Sequence, residues 1–370
     1  LKKNVLSIVS YNILPYFSGG QKSIAQFNEF LGEQCNLTVV STSSNNHLLA
    51  KSYTMLPWMK SNPLKFIQVS LFFRLSALIK EKGIQYFILE HPYMGWLGWL
   101  IKWKCKIKLI VHTHNLEFLR FKSVGKKWWP ILKWYETWVL NMADQVFCIS
   151  EEDKAYMVNN LKVPAAKCSV ITFGLPFSSI PDDKIACAYK VRTLHNIHPN
   201  DKLILFNGLL NYHPNTNAVN DIINYINPLL IKSLLNYKIL ICGKGLPEAF
   251  NDLKDFKDKN IIYTGLVGDI ELYFKAADLF INPVLSGGGI KTKLVEALGY
   301  NTTVVSAETG AIGCDKNACG SKLVVIKDKD WQSFVAAILI QLESPINTPT
   351  SFYDKYYWGN ITKKALEELN

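Results

Sequence analysis

Along the whole chain, short β-branched apolar runs alternate with longer amphipathic segments, and no other feature restricts the fold as much. In the first half the strand-like runs are 5–11, 37–41, 86–89, 107–112, 145–149 and 169–172. Helical patterns fall between them near 20–33, 63–82, 127–142 and 151–159. In the second half, strand-like runs at 203–207, 237–241, 261–264, 279–282, 303–306 and 323–326 alternate with helical patterns near 214–230, 268–276, 291–298, 331–341 and 353–369. Such alternation implies an α/β protein with doubly wound parallel sheets. A chain of 370 residues is too long for one core, so two Rossmann-like domains are expected. The boundaries read as 1–180 and 200–352, with the polar, proline-bearing stretch 176–201 as connector. Ligands of these sheets bind at the carboxyl ends of the strands. Two such domains facing each other would share a cleft.

Charge is unevenly spread. Residues 1–175 hold 21 Lys and Arg against 10 Asp and Glu, whereas residues 176–370 hold 20 of each, so the whole excess of +11 lies in the first half. Residues 101–135 carry nine basic residues and one acid, Glu117, and seven of the ten tryptophans lie between Trp96 and Trp138. Lysines mixed with tryptophan suit an anionic membrane surface, where Trp sits at headgroup level, so residues 96–138 are expected to meet one. No nucleic-acid motif is recognisable, and nucleic acid is not an expected partner. The longest apolar-rich stretch, 92–101, is too short to span a bilayer, and the N-terminal run lacks the pattern of a signal peptide. The eight scattered cysteines form no C-x-x-C pair and read as reduced core residues. A cytoplasmic protein, peripheral at the inner membrane face, is expected.

The richest local signal is the run 282–298, NPVLSGGGIKTKLVEAL. A buried strand ends in Gly287, Gly288 and Gly289, and Ile290, Lys291, Lys293 and Glu296 follow as a helix begins. Glycines allow backbone to approach a ligand, and a helix N-terminus presents unpaired N–H groups, so the run forms an anion site fit for a diphosphate. Lys291 and Lys293 add charge, and Glu296 can accept from ribose hydroxyls. Gly19 and Gly20 stand at the turn from the first strand to the first helix. Gly208 and Gly243 take the same place after two strands of the second half. Gly243-x-Gly245 is followed by Glu248 where a dinucleotide fingerprint needs glycine, which argues against a nicotinamide dehydrogenase. The strand 107–112 leads into His112-Thr113-His114-Asn115-Leu116-Glu117, with both histidines at the expected crevice edge. H-x-H spacing suits a metal, but no third ligand is visible nearby in the sequence. Glycine-bounded 264–268 could receive a flat base against its backbone, with Asp269 capping the next helix.

The order of these features resembles the GT-B glycosyltransferases, specifically the large retaining family 4. The resemblance is strongest over 203–306 and weakest over 42–84. It rests on residues 264–306, on VHTHN and SGG in the first half, and on the closing 353–370, similar to a final helix that packs back onto the first domain. It implies a first domain that binds the acceptor and a second that binds a nucleotide-sugar donor. By position, Glu296 is similar to the second glutamate of the family's E-x7-E motif, which holds the ribose. Gly287, Gly288 and Gly289 would lie beside the diphosphate and sugar, Val267 would meet the base through its backbone, and Gly19 and Gly20 would meet phosphate or acceptor. His114 resembles the family histidine near the donor sugar. The chain departs from the pattern twice: Gly288 stands where the first glutamate belongs, and Leu209 and Leu210 stand where Arg and Lys usually follow Gly208. A subset of the family with a Gly-Gly-x-x-x-Lys loop shares both departures, and there Lys291 or Lys293 would supply the charge.

The expected activity is therefore retaining transfer of a sugar from a nucleoside diphosphate sugar to a lipid-linked or saccharide acceptor in surface polysaccharide biosynthesis. His114, Lys293 and Glu296 are the candidate catalytic residues. Gly19, Gly20, Gly208, Gly243, Val267, Gly287, Gly288, Gly289, Ile290 and Lys291 are the candidate donor-binding ones. No cofactor or metal is expected, since lysines and amides can meet the leaving diphosphate. The alternatives are a non-catalytic nucleotide-sugar or polysaccharide-binding protein of the same fold and a nucleotide-sugar epimerase.

Overall fold

The computed structural model describes residues 2–233, 235–343 and 345–369. The chain forms two compact units: Leu1–Pro176 with Gly288–Ile290 and Tyr356–Asn370, and Phe177–Gly287 with Lys291–Lys355. In the first unit, β1 (Asn4–Val9), β2 (Asn36–Thr42), β3 (Thr54–Met59), β4 (Tyr86–Glu90), β5 (Lys108–His112), β6 (Gln145–Cys148) and β7 (Cys168–Val170) form one sheet in the order β3-β2-β1-β4-β5-β6-β7. Every pairing is parallel. The crossovers carry α1 (Gly19–Gln34), α2 (Ser70–Lys82), α3 (Gly95–Cys105), α4 (Glu117–Ser123), α5 (Trp129–Met142) and α6 (Glu151–Leu161). Inward residues of the strands, among them Leu6, Phe87, Leu109 and Val146, join Leu75, Leu97 and Leu140 in a single core.

The second unit opens with α7 (Lys184–Leu194). Its sheet contains β8 (Lys202–Asn207), β9 (Tyr237–Cys242), β10 (Ile261–Gly265), β11 (Leu279–Asn282), β12 (Thr303–Ala307) and β13 (Leu323–Ile326), ordered β10-β9-β8-β11-β12-β13 and again parallel. The helices are α8 (His213–Asp221), α9 (Asn227–Ile231), α10 (Ile270–Ala276), α11 (Thr292–Gly299), α12 (Glu308–Ala311), α13 (Lys316–Cys319), α14 (Trp331–Glu343) and α15 (Thr350–Tyr356). A π-helical turn, Ile222–Ile226, links α8 to α9. In each sheet the winding direction reverses once, between β1 and β4 in the first and between β8 and β11 in the second. Crossovers leave to opposite faces at that point, so a crevice opens at the carboxyl ends of those strands.

Some elements differ from the sequence reading. The strand β3 was not expected; it is an edge strand with Pro57 inside it and a half-exposed face, so its alternation is weak. α3 was hidden by Gly95 and Gly98. Both are needed for close packing, since a Cβ at Gly95 would lie 2.1 Å from Val139 and one at Gly98 would lie 2.8 Å from Leu89. The supposed connector 176–201 contains α7, which is tied down by Lys184 to the Ala277 carbonyl at 2.7 Å and Arg192 to Asp278 at 3.1 Å. The single closing helix expected over 353–370 is two helices, α15 and α16 (Trp358–Glu367), broken at extended Tyr357. Only the part from Tyr356 onward belongs to the first unit.

α16 is fastened to the first unit by an aromatic anchor. Trp358 is fully buried between Phe27 and Phe173, with ring centroids 6.1 and 5.7 Å away, and its Nε1 donates to Gln26 Oε1 at 2.9 Å. Leu175 donates to Tyr356 O and accepts from Trp358 N, bridging the break. Gly174 is required there, because a Cβ would lie 2.7 Å from both Ile361 and Trp358. Trp358→Ala is expected to destabilise the first unit by about 3–5 kcal/mol, seen as a lower urea midpoint, and Trp358→Phe by less. An unchanged midpoint for the alanine variant would show that α16 contributes nothing to that unit.

Candidate active site

In the first unit the crevice is floored by the ends of β1, β4 and β5. Register sets Glu90, the last residue of β4, beside His112, the last of β5. The chain continues into His91, whose N–H donates to His112 O at 2.9 Å, and into Thr113, whose N–H donates to Phe147 O at 2.8 Å. These bonds extend the sheet ladder beyond its last pairs and fix where the side chains emerge. Glu90 Oε2 lies 2.7 Å from His114 Nε2 and 3.1 Å from His112 Nδ1. All three side chains are buried. Burial alone would raise the Glu90 pKa, but the imidazoles of His112 and His114 outweigh it and hold it at about 2, so the group is a carboxylate. His114 is pushed below the usual imidazole range by burial and by His112, against the opposing pull of Glu90.

A second imidazole–carboxylate pair lies alongside. His91 packs 4.8 Å from His114 and stacks on Tyr93 at 5.3 Å. Its Nε2 lies 2.8 Å from Tyr11 Oη, just past β1, and its Nδ1 lies 3.6 Å from Glu117 Oε1. Glu117 Oε2 accepts from the Tyr93 hydroxyl and from Arg120 Nε and Nη2 at 2.9 and 2.6 Å. Glu136 on α5 accepts the N–H groups of Glu117 and Phe118, which anchors the start of α4 and places Glu117. His91 has φ 74° and ψ 155°, a region that normally admits only glycine and costs about 1–3 kcal/mol. Gly19 and Gly20 open α1 behind the Ser18 cap on the loop after β1, and the space beside Gly20 is empty.

In the second unit the crevice is built from backbone and two lysines. Gly208 N–H donates to Cys242 O at 3.1 Å and Gly243 N–H to Gly265 O at 2.8 Å, so the ends of β8, β9 and β10 lie in one row. Gly243 has φ 144°, and a Cβ there would come within 1.9 Å of Gly208 O, so no larger residue fits. Val267 is half-buried on the turn before α10, whose N-cap is Asp269. After β11 the chain runs through Gly287 to Lys291, the N-cap of α11. Lys291 Nζ donates to Gly287 O at 2.9 Å, closing this loop on itself. Lys293 Nζ donates to Asn207 O and Asn215 Oδ1, both at 3.2 Å, and sits 4.5 Å over the Phe206 ring. Both acceptors are neutral. Burial, and then Lys291, lower the Lys293 pKa to about 7. Glu296 is buried on α11. Gly288, Gly289 and Ile290 group with the first unit.

Sequence reasoning singled out His114, Glu117, Lys293 and the glycine row, which the structure places at strand ends and helix starts, but not Glu90, His91, Tyr11 and Asn215 beside them. One signal was available: Glu90-His91 directly follows the apolar strand Phe87-Ile88-Leu89, an improbable place for two ionisable groups without a role. Glu90 also supplies the third side chain that the H-x-H pair lacked, with the three ligating atoms within 4.8 Å of one another. Its Oε2 nevertheless meets His114 Nε2 directly at hydrogen-bond distance.

Known proteins agree with this architecture. The sequence profile described as Glycosyltransferase Family 4 matches residues 17–176, and the one described as Glycosyl transferases group 1 matches residues 201–344. An Escherichia coli UDP-Gal:alpha-D-GlcNAc-diphosphoundecaprenol alpha-1,3-galactosyltransferase is 24% identical over 349 residues, 90% of this chain and 87% of that protein. An uncharacterized 44.6 kDa protein in the cps region of Klebsiella pneumoniae is 28% identical over 142 residues, and the match spans only 35% of that protein's length and 37% of this chain. Anabaena Alr3699/HepE, solved in complex with UDP, has a TM-score of 0.71 at 13% identity with 98% of each chain covered. Sucrose-phosphate synthase from Thermosynechococcus elongatus has a TM-score of 0.69 at 14% identity, covering 99% of this chain and 98% of that one. At such identities the solved structures establish the fold. Two doubly wound units, each matched by a glycosyltransferase profile, define the class: the chain is a glycosyltransferase of the GT-B fold.

The Lys293 environment has a measurable consequence. Its folded pKa is depressed below the unfolded value, so the unfolded chain binds more protons between about pH 7 and 10.5. Stability from this group should therefore rise with pH across that window and be lost as pH falls towards 7. Thermal unfolding of wild type and Lys293→Met over that range should show a shallower pH slope in the variant; parallel slopes would refute the assignment.

Proposed function

We propose that this glycosyltransferase moves a sugar from a nucleoside diphosphate sugar to a lipid-linked or saccharide acceptor in surface polysaccharide assembly, with retention of anomeric configuration. The observation that carries the reading is the second-unit crevice. Its strand ends are bare glycine backbone, and Lys291 and Lys293 stand at the start of α11 beside the point where the strand order reverses. As the glycosidic bond breaks, the departing diphosphate gains negative charge. The α11 N–H groups would meet it, as would the two lysines once turned from their resting acceptors. Because Lys293 has neutral partners and a pKa near 7, an arriving diphosphate would draw a proton onto it. Glu296 would accept from the ribose, and the backbone at Val267 would meet the base. Gly208, Gly243 and Gly287 would line the diphosphate, with Gly288, Gly289 and Ile290 beside the sugar. Gly19, Gly20 and His114 would line the crevice of the first unit. No metal is required by this scheme. The E. coli relative named for UDP-Gal and an undecaprenol acceptor, and the Anabaena neighbour solved with UDP, favour uridine as the base and a lipid-linked acceptor.

A thermal-shift screen of UDP, GDP and ADP tests the donor site. Stabilisation by one nucleotide is expected, lost in Glu296→Ala. In Lys291→Ala with Lys293→Ala, the preference for UDP over uridine should shrink by about tenfold or more, as expected from losing charged hydrogen bonds. No stabilisation by any nucleotide would overturn the reading.

We place the acceptor side against an anionic membrane at the inner face of the cytoplasmic membrane. Trp103 and Trp134 are 76% and 71% exposed, and Trp99, Trp128 and Ile131 are exposed as well. Trp99 meets Trp138 at 6.4 Å, which joins α3 to α5 in one apolar surface among lysines. Among the described residues no helix is long and apolar enough to cross a membrane. The protein should sediment with vesicles containing phosphatidylglycerol, less so at high salt, and barely with phosphatidylcholine alone. Trp103→Ala with Trp134→Ala should abolish sedimentation; equal binding to both vesicle types would exclude this surface.

A further inference from the structure

We infer that the Arg120 guanidinium binds the phosphate linkage of a lipid-linked acceptor, at a point between the exposed aromatic surface of α5 and the crevice of the first unit. The inference rests on the lipid-linked acceptor of the proposed function and deepens it by naming the group recognised and the side chain that recognises it.

A guanidinium carries its N–H donors in a planar fork. In Arg120, Nε and Nη2 donate to Glu117 Oε2 at 2.9 and 2.6 Å, and Nη2 lies 3.3 Å from the Tyr93 hydroxyl. Nη1 has no partner among the described residues, and the side chain stays 45% exposed although that of Glu117 is buried. Glu117 and Tyr93 thus fix the plane of the guanidinium and leave its outer side open to a ligand. A planar fork matches the oxygens of a phosphate in a way that a point cation does not. The charge nearby also exceeds what Glu117 needs. Residues 116–135 hold Arg120, Lys122, Lys126, Lys127 and Lys133 against one acid, Glu117, and all of these cations except Lys133 are exposed. Glu136, the next acid along the chain, is buried and turned to the N–H groups of Glu117 and Phe118.

Position selects the ligand. On one side, Arg120 lies 4.6 Å over the Phe121 ring, and Phe121 meets Trp128 with ring centroids 4.6 Å apart. Trp128 is exposed at the N-cap of α5, and α5 carries the exposed Ile131 and Trp134. On the other side, Tyr93 stacks on His91 at 5.3 Å, just past the end of β4. Apolar aromatics, cations and polar crevice therefore follow one another along a line of direct contacts. A lipid-linked saccharide has the same order of parts: an apolar chain, an anionic phosphate linkage and a hydroxyl-rich sugar. With the chain in a bilayer beside Trp128 and Trp134, the linkage falls at Arg120 and the saccharide towards His91. A phospholipid headgroup offers the phosphate but no saccharide for the crevice, and a free nucleotide offers no chain for the aromatic surface.

Sedimentation with phosphatidylcholine vesicles carrying undecaprenyl diphosphate tests this. The wild type should bind them about tenfold or more tightly than vesicles carrying phosphatidylglycerol at matched charge, and vesicles carrying uncharged undecaprenol hardly at all. Arg120→Gln should bind the undecaprenyl diphosphate vesicles about 10- to 100-fold more weakly, as expected from losing charge-assisted hydrogen bonds. Its sedimentation with phosphatidylglycerol vesicles and its stabilisation by UDP should stay within about twofold of wild type, which a merely structural role would not leave intact. Arg120→Lys keeps a cation beside Glu117 but lacks the planar fork, so it should show most of the same loss even where the glutamine variant does not fold. A wild type that binds undecaprenyl diphosphate no better than phosphatidylglycerol at matched charge would overturn the inference, and that comparison needs no variant. An undiminished preference in Arg120→Gln, or in Arg120→Lys where the former does not fold, would overturn it as well. If the preference for undecaprenyl diphosphate depends on Arg120 but the wild type ignores phosphatidylglycerol, or is stabilised by no nucleotide, the assignment of Arg120 holds and the membrane or the donor reading is what fails.

Discussion

Burying a carboxylate at the end of a central strand is tolerable only where other groups answer its charge. Glu90 meets that condition through two imidazoles supplied by the neighbouring strand, and much of the first unit's crevice follows from it. The parallel ladder sets Glu90 level with His112, and the two-residue step beyond the strand brings His114 onto the same oxygen. Deleting the carboxylate would leave the ring nitrogens of His112 and His114 without that anchor in a nearly dry pocket. The neighbouring His91–Glu117 pair repeats the solution with Tyr11, Tyr93 and Arg120 as further partners. Apolar layers on both faces of the sheet leave the strand ends as the place where such polar groups can gather.

The second unit meets the same constraint with different means. Its strand ends carry glycines, and the chemistry is done by main-chain groups and two lysines. A Cβ on Gly243 would strike the Gly208 carbonyl and one on Gly208 would strike the Asn215 side chain, so neither tolerates a side chain without displacement. That closeness leaves an open row of backbone at the crevice floor. Lys293 reaches from α11 to the end of β8, where it meets the Asn207 carbonyl and Asn215. Under the proposed function, this reach explains how Leu209 and Leu210 can stand after Gly208 where basic residues would be expected. The charge arrives at the end of β8 from another element.

Much of this was legible in the sequence because it is local. The alternation of β-branched runs with amphipathic segments is enough to imply two doubly wound sheets, and the Lys-Thr-Lys start of α11 stands out as a charged helix opening in the second unit. What the sequence hides is what depends on neighbours distant along the chain. Glu90 and His114 are separated by 24 positions and meet only through the β4–β5 register. Asn215 lies 78 positions from Lys293. α3 escapes a periodicity reading because close packing against Val139 and Leu89 demands glycine inside a helix, where propensity alone would oppose it. α15 and α16 read as one helix because the break at Tyr357 is set by the bridge to Leu175, not by a proline or glycine.

The two crevices differ in hydrogen-bonding character. In the first unit, Glu90 Oε1 is an unpartnered buried acceptor, and nitrogens of His91, His112 and His114 are unpartnered beside it. In the second the prominent groups are donors and cations: the N-terminal amides of α11, Lys291 and Lys293. A hydroxyl-bearing ligand, able to donate and to accept, suits the first, and a ligand that suits the second must accept and carry negative charge. Free phosphate meets only the second condition, and a neutral saccharide is matched by the first. A nucleoside diphosphate sugar has both halves in one molecule, a hydroxyl-rich ring and a diphosphate. Each set of side chains, taken by itself, names only the half of such a molecule that it suits. Under the proposed function, base and diphosphate affinity would be set by the second-unit crevice.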